Sequence, residues 1–226
     1  MELKNILKNG TSISSSGTTG PAKQIYQSPD KIKHANQAAR DVQKITSTSK
    51  IYTVCKLDHA GGLLAQTLPA LEIDAEVHIE QFNPFSWVNK IKHFTHSHLT
   101  PGMALAITKT KGWNNLDLKD KIIACGSDRV PAECINRYVA KGATFIANWG
   151  MSEIGPMAIN KTYTEQDAEA YDLPLHTIIG DTIFCEVKIV RKELFVKGKI
   201  CVYDDWFATG DIVKFENGCY WYYGRK

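Results

Sequence analysis

The chain has 226 residues, 43% of them hydrophobic and 23% charged, which suits a folded protein with a buried core in one large or two small domains. Twenty-seven Lys and Arg against 24 Asp and Glu leave a formal charge of +3, and no sustained basic run carries interleaved aromatics, so no nucleic-acid partner is expected. No apolar stretch approaches the roughly 20 residues of a membrane span, residues 1–10 lack a signal-peptide core, and six scattered cysteines form no C-x-x-C pair. The expectation is a cytoplasmic protein with free, mostly buried thiols and no membrane segment.

Residues 1–10 read as a short helical start with Leu3, Ile6 and Leu7 on one face. Next comes Ser14-Ser15-Ser16-Gly17-Thr18-Thr19-Gly20-Pro21-Ala22-Lys23. Glycines let the backbone curl so that successive N–H groups converge on an anion, while hydroxyls and an ammonium add donors and positive charge; a phosphate cradle is one reading. It is not the common P-loop, because Gln24 stands where Ser or Thr should follow the lysine. A flexible Ser/Gly linker is the other reading.

Ser28-Pro29 then starts a helix, with Ile32, Ala35, Ala39, Val42 and Gln43 at helical spacing. Beyond it, strands are expected at residues 51–55, 75–79, 96–99, 121–125 and 144–148. Helices are expected at 63–71, 84–94, with Trp87, Val88 and Ile91 inward, 101–108 and 131–140. Such alternation predicts an α/β fold, a mostly parallel sheet flanked by helices, with ligands at the carboxyl ends of its strands. Polar and glycine-rich pieces fall at those ends: His59-Ala60-Gly61-Gly62, Gly126-Ser127-Asp128-Arg129 and Trp149-Gly150-Met151-Ser152-Glu153.

From about Leu175 the period shortens. Runs at 178–179, 184–190, 193–196, 200–203, 212–215 and 219–223, with Asn217-Gly218 as a hairpin turn, predict a small antiparallel β-sheet or barrel. The expected division is residues 1–174 as an α/β part and 175–226 as a β part, joined by the acidic loop 164–172.

In Asn148-Trp149-Gly150-Met151-Ser152-Glu153, an aromatic suits a base, a hydroxyl suits a phosphate and a carboxylate suits Mg²⁺; a capped helix end before Ile154-Gly155-Pro156 is the plain alternative. In Thr209-Gly210-Asp211 two carboxylate oxygens could accept from two ribose hydroxyls, and a solvated turn aspartate is the alternative. His93, His96 and His98 lack carboxylate or cysteine partners at ligand spacing and read as surface or turn histidines. The aromatic run of Trp206, Phe207, Tyr220, Trp221, Tyr222 and Tyr223 reads mainly as sheet packing, with one face free to receive a partner.

Taken together and in order, Ser16 to Lys23, Trp149 to Glu153, Thr209-Gly210-Asp211 and Gly224-Arg225 resemble the adenylate-forming (AMP-binding) superfamily of acyl-CoA synthetases, nonribosomal peptide synthetase adenylation domains and firefly luciferase. The resemblance implies an ATP- and Mg²⁺-dependent ligase that converts a small carboxylic acid to its acyl-adenylate, with coenzyme A or a carrier-protein thiol as acceptor. It implies that Ser16, Gly17, Thr18, Thr19, Gly20 and Lys23 hold the β- and γ-phosphates. Gly126, Ser127, Asp128, Trp149 and Gly150 would take the adenine, Trp149 standing where the family usually has Tyr. Ser152, where Thr is usual, would touch a phosphate oxygen, Glu153 would bind Mg²⁺, and Asp211 and Arg225 would hold the ribose. Lys23, Ser152 and Glu153 are thus the implied catalytic set, and His59, Gly62, Asn148 and Met151 the acyl-pocket walls.

Two departures accompany the resemblance. The family usually carries a hundred or more residues before the glycine loop and a mobile C-terminal domain, bearing a lysine, after the Gly-Arg; this sequence reads as a truncated form without them. A separate chain or self-association is therefore expected to complete the site, the short motif spacings look most like small aryl-acid ligases of the o-succinylbenzoate type, and a nucleotide-binding regulator or scaffold without turnover is the alternative function.

Overall fold

The computed structural model describes residues 3–15, 23–166 and 178–226. Helix α1 (Leu3–Asn9) buries Ile6 and leads into a hairpin of β1 (Thr11–Ser14) and β2 (Gln24–Gln27) that flanks the glycine loop. Helix α2 (Pro29–Gln43) starts as its sequence demands: Ser28 Oγ accepts from Lys31 N at 3.2 Å and Pro29 takes the first turn, where its missing N–H costs nothing.

The alternating pattern is realised as β3 (Lys50–Thr53), α3 (Ala60–Gly62), a π-helical stretch Leu63–Thr67, α4 (Leu68–Leu71), β4 (Glu76–Ile79), α5 (Pro84–Lys90), β5 (His96–Leu99), α6 (Pro101–Thr108), β6 (Ile122–Cys125), α7 (Ala132–Val139) and β7 (Thr144–Met151). The helix after β3 contains Pro69, which has no N–H for the carbonyl four residues back; Gln43 Nε2 donates to that oxygen, on Ala65, at 2.6 Å instead.

Two strands that the sequence reading does not contain extend this sheet. β8 (Gly155–Tyr163) folds back antiparallel on β7, and the later strand β10 (Thr182–Ile183) pairs with β8, giving the order β10-β8-β7-β6-β5-β3-β4 with β3 to β7 parallel. Ser152-Glu153-Ile154 is therefore a hairpin turn and not a helix end. Both faces of the sheet are covered. Phe145 and Ile123 point into a cluster with Trp87 and Tyr138 under α5, α6 and α7, while Ile146 and Ala124 meet Ala39 of α2 and Ala65 on the other side.

The second sheet has the order β11-β12-β13-β14-β9, antiparallel throughout, from β9 (Ile178–Gly180), β11 (Glu186–Val190), β12 (Glu193–Lys197), β13 (Phe207–Glu216) and β14 (Cys219–Arg225). It is an open sheet, not a barrel. Asn217 and Gly218 take φ of 52° and 76°, the left-handed pair that a two-residue hairpin needs. Ile200–Tyr203 is not the expected strand. Ile200 and Cys201 are buried side chains on a looped segment, Cys201 N donates to Gly198 O, and Val202 N donates to the Glu153 carbonyl at 2.8 Å. Leu194, Val196 and Val213 of this sheet pack with Ile154, Ala158 and Ile159 of the first, fusing the two. Of the loop 164–172, residues 167–172 lie outside the described residues.

All six cysteines are free, three of them buried. No helix among the described residues is long and apolar enough to cross a membrane. His96 and His98 are not surface or turn residues: both lie in β5 at 3% exposure, and His96 Nε2 donates to the Gln43 carbonyl at 2.9 Å. Their alternation with Ser97 hides them in a polar-looking strand whose burial is set by the layers above and below it.

Candidate active site

At the carboxyl ends of β3, β5, β6 and β7 lies a cavity of about 940 Å³, roofed by β13 and β14 of the second sheet. It collects nearly every described residue singled out from the sequence: Lys23, His59, Gly62, Ser127, Asp128, Asn148, Trp149, Gly150, Met151, Ser152, Glu153, Asp211 and Arg225 all line it. Gly126 stands one residue behind the lining, its N–H on the Leu99 carbonyl at 3.3 Å. Ser16, Gly17, Thr18, Thr19 and Gly20 lie outside the described residues.

The base of the glycine loop is latched. Ser15 N donates to Lys23 O and Lys23 N to Ser15 Oγ, both at 2.9 Å, which holds the start and end of the loop together while the Lys23 side chain stays exposed. The hairpin stem docks on the next strand end: Ser14 N donates to Asp58 O at 2.8 Å, and His59 Nδ1 lies 3.1 Å from Ser14 O. Beneath His59, Gly62 is obligatory, since a Cβ there would run into the Lys56 carbonyl oxygen.

The β7–β8 turn supplies the carboxylate. A register shift between Trp149 and Met151 marks a bulge, and Gly150 within it faces Gly155 O too closely for any side chain. Ser152 is 8% exposed, and its carbonyl accepts from Gln27 Nε2 at 3.0 Å and Lys31 Nζ at 3.3 Å. The Glu153 side chain makes no hydrogen bond or ion pair with any described residue beyond long-range attraction to Lys31. Lys31 is buried; desolvation pushes its ammonium down to about 7, against an upward pull from Cys201 and Glu153.

On the roof, Asp211 is almost fully buried. Trp149 Nε1 donates to its Oδ2 at 2.9 Å and Arg225 Nε stands 3.7 Å from its Oδ1, a pairing set by the β13–β14 ladder, where Asp211 and Arg225 are partners. Burial raises the Asp211 carboxyl above its ordinary value, with Trp149 and Arg225 acting the other way. Trp149 and Asp211, 62 residues apart, thus form one unit. Both ladders beside Thr209-Gly210-Asp211 carry a register shift, the kind of irregularity that re-aims side chains next to a site.

On the β6 side, Ser127 adopts a left-handed φ of 76° and the Asp128 carboxylate accepts from Arg129 N at 2.7 Å. Arg129 lies over the Tyr222 ring at 4.5 Å, tying this loop to the roof. Deeper in, Cys55 Sγ is 3.7 Å from both His98 Nδ1 and Met103 Sδ. Burial pushes the Cys55 thiol up to about 12 and the His98 imidazole behind it down to about 4, so neither carries charge at neutral pH. Asn148 Nδ2 donates to Pro156 O at 2.8 Å.

Three site neighbours escape sequence reasoning. Glu193 lines the cavity and accepts from Gly210 N at 3.1 Å while pairing with Lys226; it reads in sequence as an ordinary charged strand residue. Gln27 and Lys31 stand behind the Ser152 turn. A lysine in the first turn of α2, where the helix dipole disfavours a cation, is the one sequence signal for them.

A parallel-centred α/β sheet, the stem of a glycine loop docked on the segment after β3 and a carboxylate-bearing hairpin facing a bulged β roof define a class. Residues 12–210 match the family described as AMP-binding enzyme, and the chain belongs to that family. Among curated relatives, a feruloyl-CoA synthase of Amycolatopsis is 27% identical over 150 residues, covering 62% of this chain and 30% of its own length. Among solved structures, the N-terminal domain of FACL13 from Mycobacterium tuberculosis superposes with a TM-score of 0.80 at 17% identity over 95% of this chain and 60% of that one. Escherichia coli MenE, solved with a bound OSB-AMS analogue, gives 0.76 at 18% identity over 95% of this chain and 47% of that one. The fold is thus that of these solved proteins, and the chain spans less than a third of the curated relative and 47–60% of the two solved ones.

Proposed function

We propose that this chain forms the nucleotide- and acyl-binding part of a ligase that uses ATP to activate a small carboxylic acid as its acyl-adenylate, with coenzyme A or a carrier-protein thiol as acceptor. The observation that carries the reading is the convergence of Lys23, Ser152-Glu153, Trp149 with Asp211, and Arg225 on one cavity, from segments up to 202 positions apart in number between residues 23 and 225. In this reading a carboxylate oxygen of the acid attacks the α-phosphorus of ATP, and that bond forms as the bond to the bridging oxygen of pyrophosphate breaks. Negative charge gathers on the departing pyrophosphate. Lys23 and the amides and hydroxyls of the loop 16–20 are assigned to it, because a preorganised cation and donors stabilise such charge without rearrangement.

A divalent cation fits the donor set. Mg²⁺ is held by one or two carboxylates with phosphate oxygens and water completing its shell, and Glu153, which lines the cavity next in sequence to Ser152, is a carboxylate that makes no hydrogen bond or ion pair with any described residue. Bound there, Mg²⁺ would neutralise phosphate charge. Asp211 and Arg225 are assigned to the ribose, Trp149 and the segment Gly126-Ser127-Asp128 with Gly150 to the adenine, and His59, Gly62, Asn148 and Met151 to the acyl group. The floor where Cys55 and Met103 line the cavity carries no charged side chain and favours an acid whose far end is neutral.

The test is acid-dependent exchange of labelled pyrophosphate into ATP over a panel of aryl and alkyl acids. Exchange by the native chain, reduced about 10²- to 10³-fold in Glu153→Gln, supports the enzyme. Nucleotide binding with no exchange on any acid assigns the chain a binding role instead.

A further inference from the structure

One cation is used by nothing in the reaction just described. Lys31 sits on the first turn of α2 at 3% exposure, does not line the cavity and has no carboxylate within ion-pair distance among the described residues. Its ammonium donates to two neutral oxygens, Gln27 Oε1 and, at 3.3 Å, the carbonyl of Ser152. Gln27 Nε2 donates to the same carbonyl at 3.0 Å. As a device for stability this is poor: the charge is desolvated, it stands at the positive end of a helix, and an apolar side chain of similar volume would fold at least as well there. Its placement is informative for another reason. Gln27 is the last residue of β2, the strand that leaves the glycine loop, and Ser152 begins the turn that carries Glu153. One donor from the stem of the glycine loop and one from the helix that follows it therefore close on a single acceptor in the turn that carries Glu153, across 125 and 121 residues of sequence.

We infer that Lys31 and Gln27 are positioning residues that lock the Ser152-Glu153 turn to the stem of the glycine loop, fixing the distance between the cation-binding carboxylate and the phosphate cradle. On the opposite side the Glu153 carbonyl is held by Val202 N at 2.8 Å, so the turn is gripped through the backbone and its side chain is left free. Removing the Lys31 ammonium loosens one side of that grip without emptying the core, since a methionine fills the same space.

This inference rests on the proposed role of the turn, and its test separates the two. Lys31→Met, Lys31→Gln and Gln27→Leu are compared with the native chain by thermal unfolding, by hydrogen exchange of the peptide spanning residues 151–156, and by Mg²⁺-dependent binding of ATP. The expected result for Lys31→Met is a Tm equal to or above the native value. Exchange in residues 151–156 rises about tenfold while the rest of α2 and β8 is unchanged, and affinity for Mg²⁺-ATP falls about tenfold; Lys31→Gln, which keeps a donor, falls between. Faster exchange confined to the turn with no ATP binding by any variant, the native chain included, supports the lock and sinks the nucleotide reading. Unchanged exchange at the turn in both Lys31→Met and Gln27→Leu overturns the lock. So does a lowered Tm with exchange raised evenly over α2 and β8, or a failure of Lys31→Met to fold, since each makes Lys31 a structural residue.

Discussion

The two sheets serve the same cavity by opposite means. The first presents loops at the carboxyl ends of parallel strands, above a core with Trp87, Tyr138 and Phe145 fully enclosed between helices and sheet. The second presents the middle of a strand, Thr209-Gly210-Asp211, through a bulge, and leaves Ile189, Val190, Phe215 and Tyr223 exposed on its other faces. In a parallel sheet the site comes from the topology, because every strand must end before its crossover helix begins; in an antiparallel sheet it must be made by breaking the ladder. The deep core then carries stability, and the thin roof carries alignment.

That contrast can be broken first in the core. Phe145→Ala is expected to cost about 3–5 kcal/mol in urea unfolding, because a fully buried ring between Tyr138 and Tyr163 cannot be replaced by collapse of its neighbours. A loss below about 1 kcal/mol would mean that the first sheet is not the stability-bearing layer.

The contrast is sharpened by pH, since a buried lysine in the helix behind the first sheet and a buried aspartate in the second sheet act with opposite sign. Lys31 falls from 10.5 unfolded to about 7 folded, so between these values the unfolded chain binds more protons and stability rises with pH, by about 1.4 kcal/mol per unit at most. Glu153 and Cys201 are the groups that oppose the shift. Asp211 is raised above 3.8, so the unfolded chain loses its proton first and stability falls as pH rises above that value. Stability of the native chain relative to Lys31→Met should therefore climb from pH 7 to 8.5, while stability relative to Asp211→Asn should fall from pH 4 upward. Flat differences in both would refute the burial argument.

The smallest effect belongs to the roof's outer face. Phe215 is 54% exposed and touches Tyr220 at a centroid distance of 4.8 Å, so Phe215→Ala should change stability by no more than about 0.5 kcal/mol. A larger loss would show that this face is covered in solution.

Local chemistry made much of this legible in the sequence. Ser28-Pro29 and Asn217-Gly218 state their roles through φ and hydrogen-bonding constraints that no tertiary contact changes, and the apolar runs of the parallel strands could be read because both faces are buried. β8 was not legible: Gly155-Pro156 after Ser152-Glu153 resembles the border of a helix, and only pairing with β7 makes it a strand. Ile200 and Cys201 begin a continuous apolar run, Ile200-Cys201-Val202-Tyr203, yet lie in a loop, because what they cover is the Glu153 turn and not a neighbouring strand. Of the candidate site, the residues at strand ends came from topology. Asp211, inside a strand, came from its own chemistry after a glycine, with a solvated turn as the alternative, and its role came from the family resemblance; the partners Gln27, Lys31 and Glu193 came from neither, since polar burial is decided by packing between distant segments.

The cavity walls differ in how freely they can change. At Gly62 and Gly150 the space for a single methyl group is already taken by main-chain oxygens, so these positions form a fixed frame that no conservative exchange can reshape. Cys55, Met103 and Val130 line the same cavity, and their side chains are open to exchange. Change in the shape of the cavity is therefore channelled through that interchangeable lining, while the frame around it stays closed to drift.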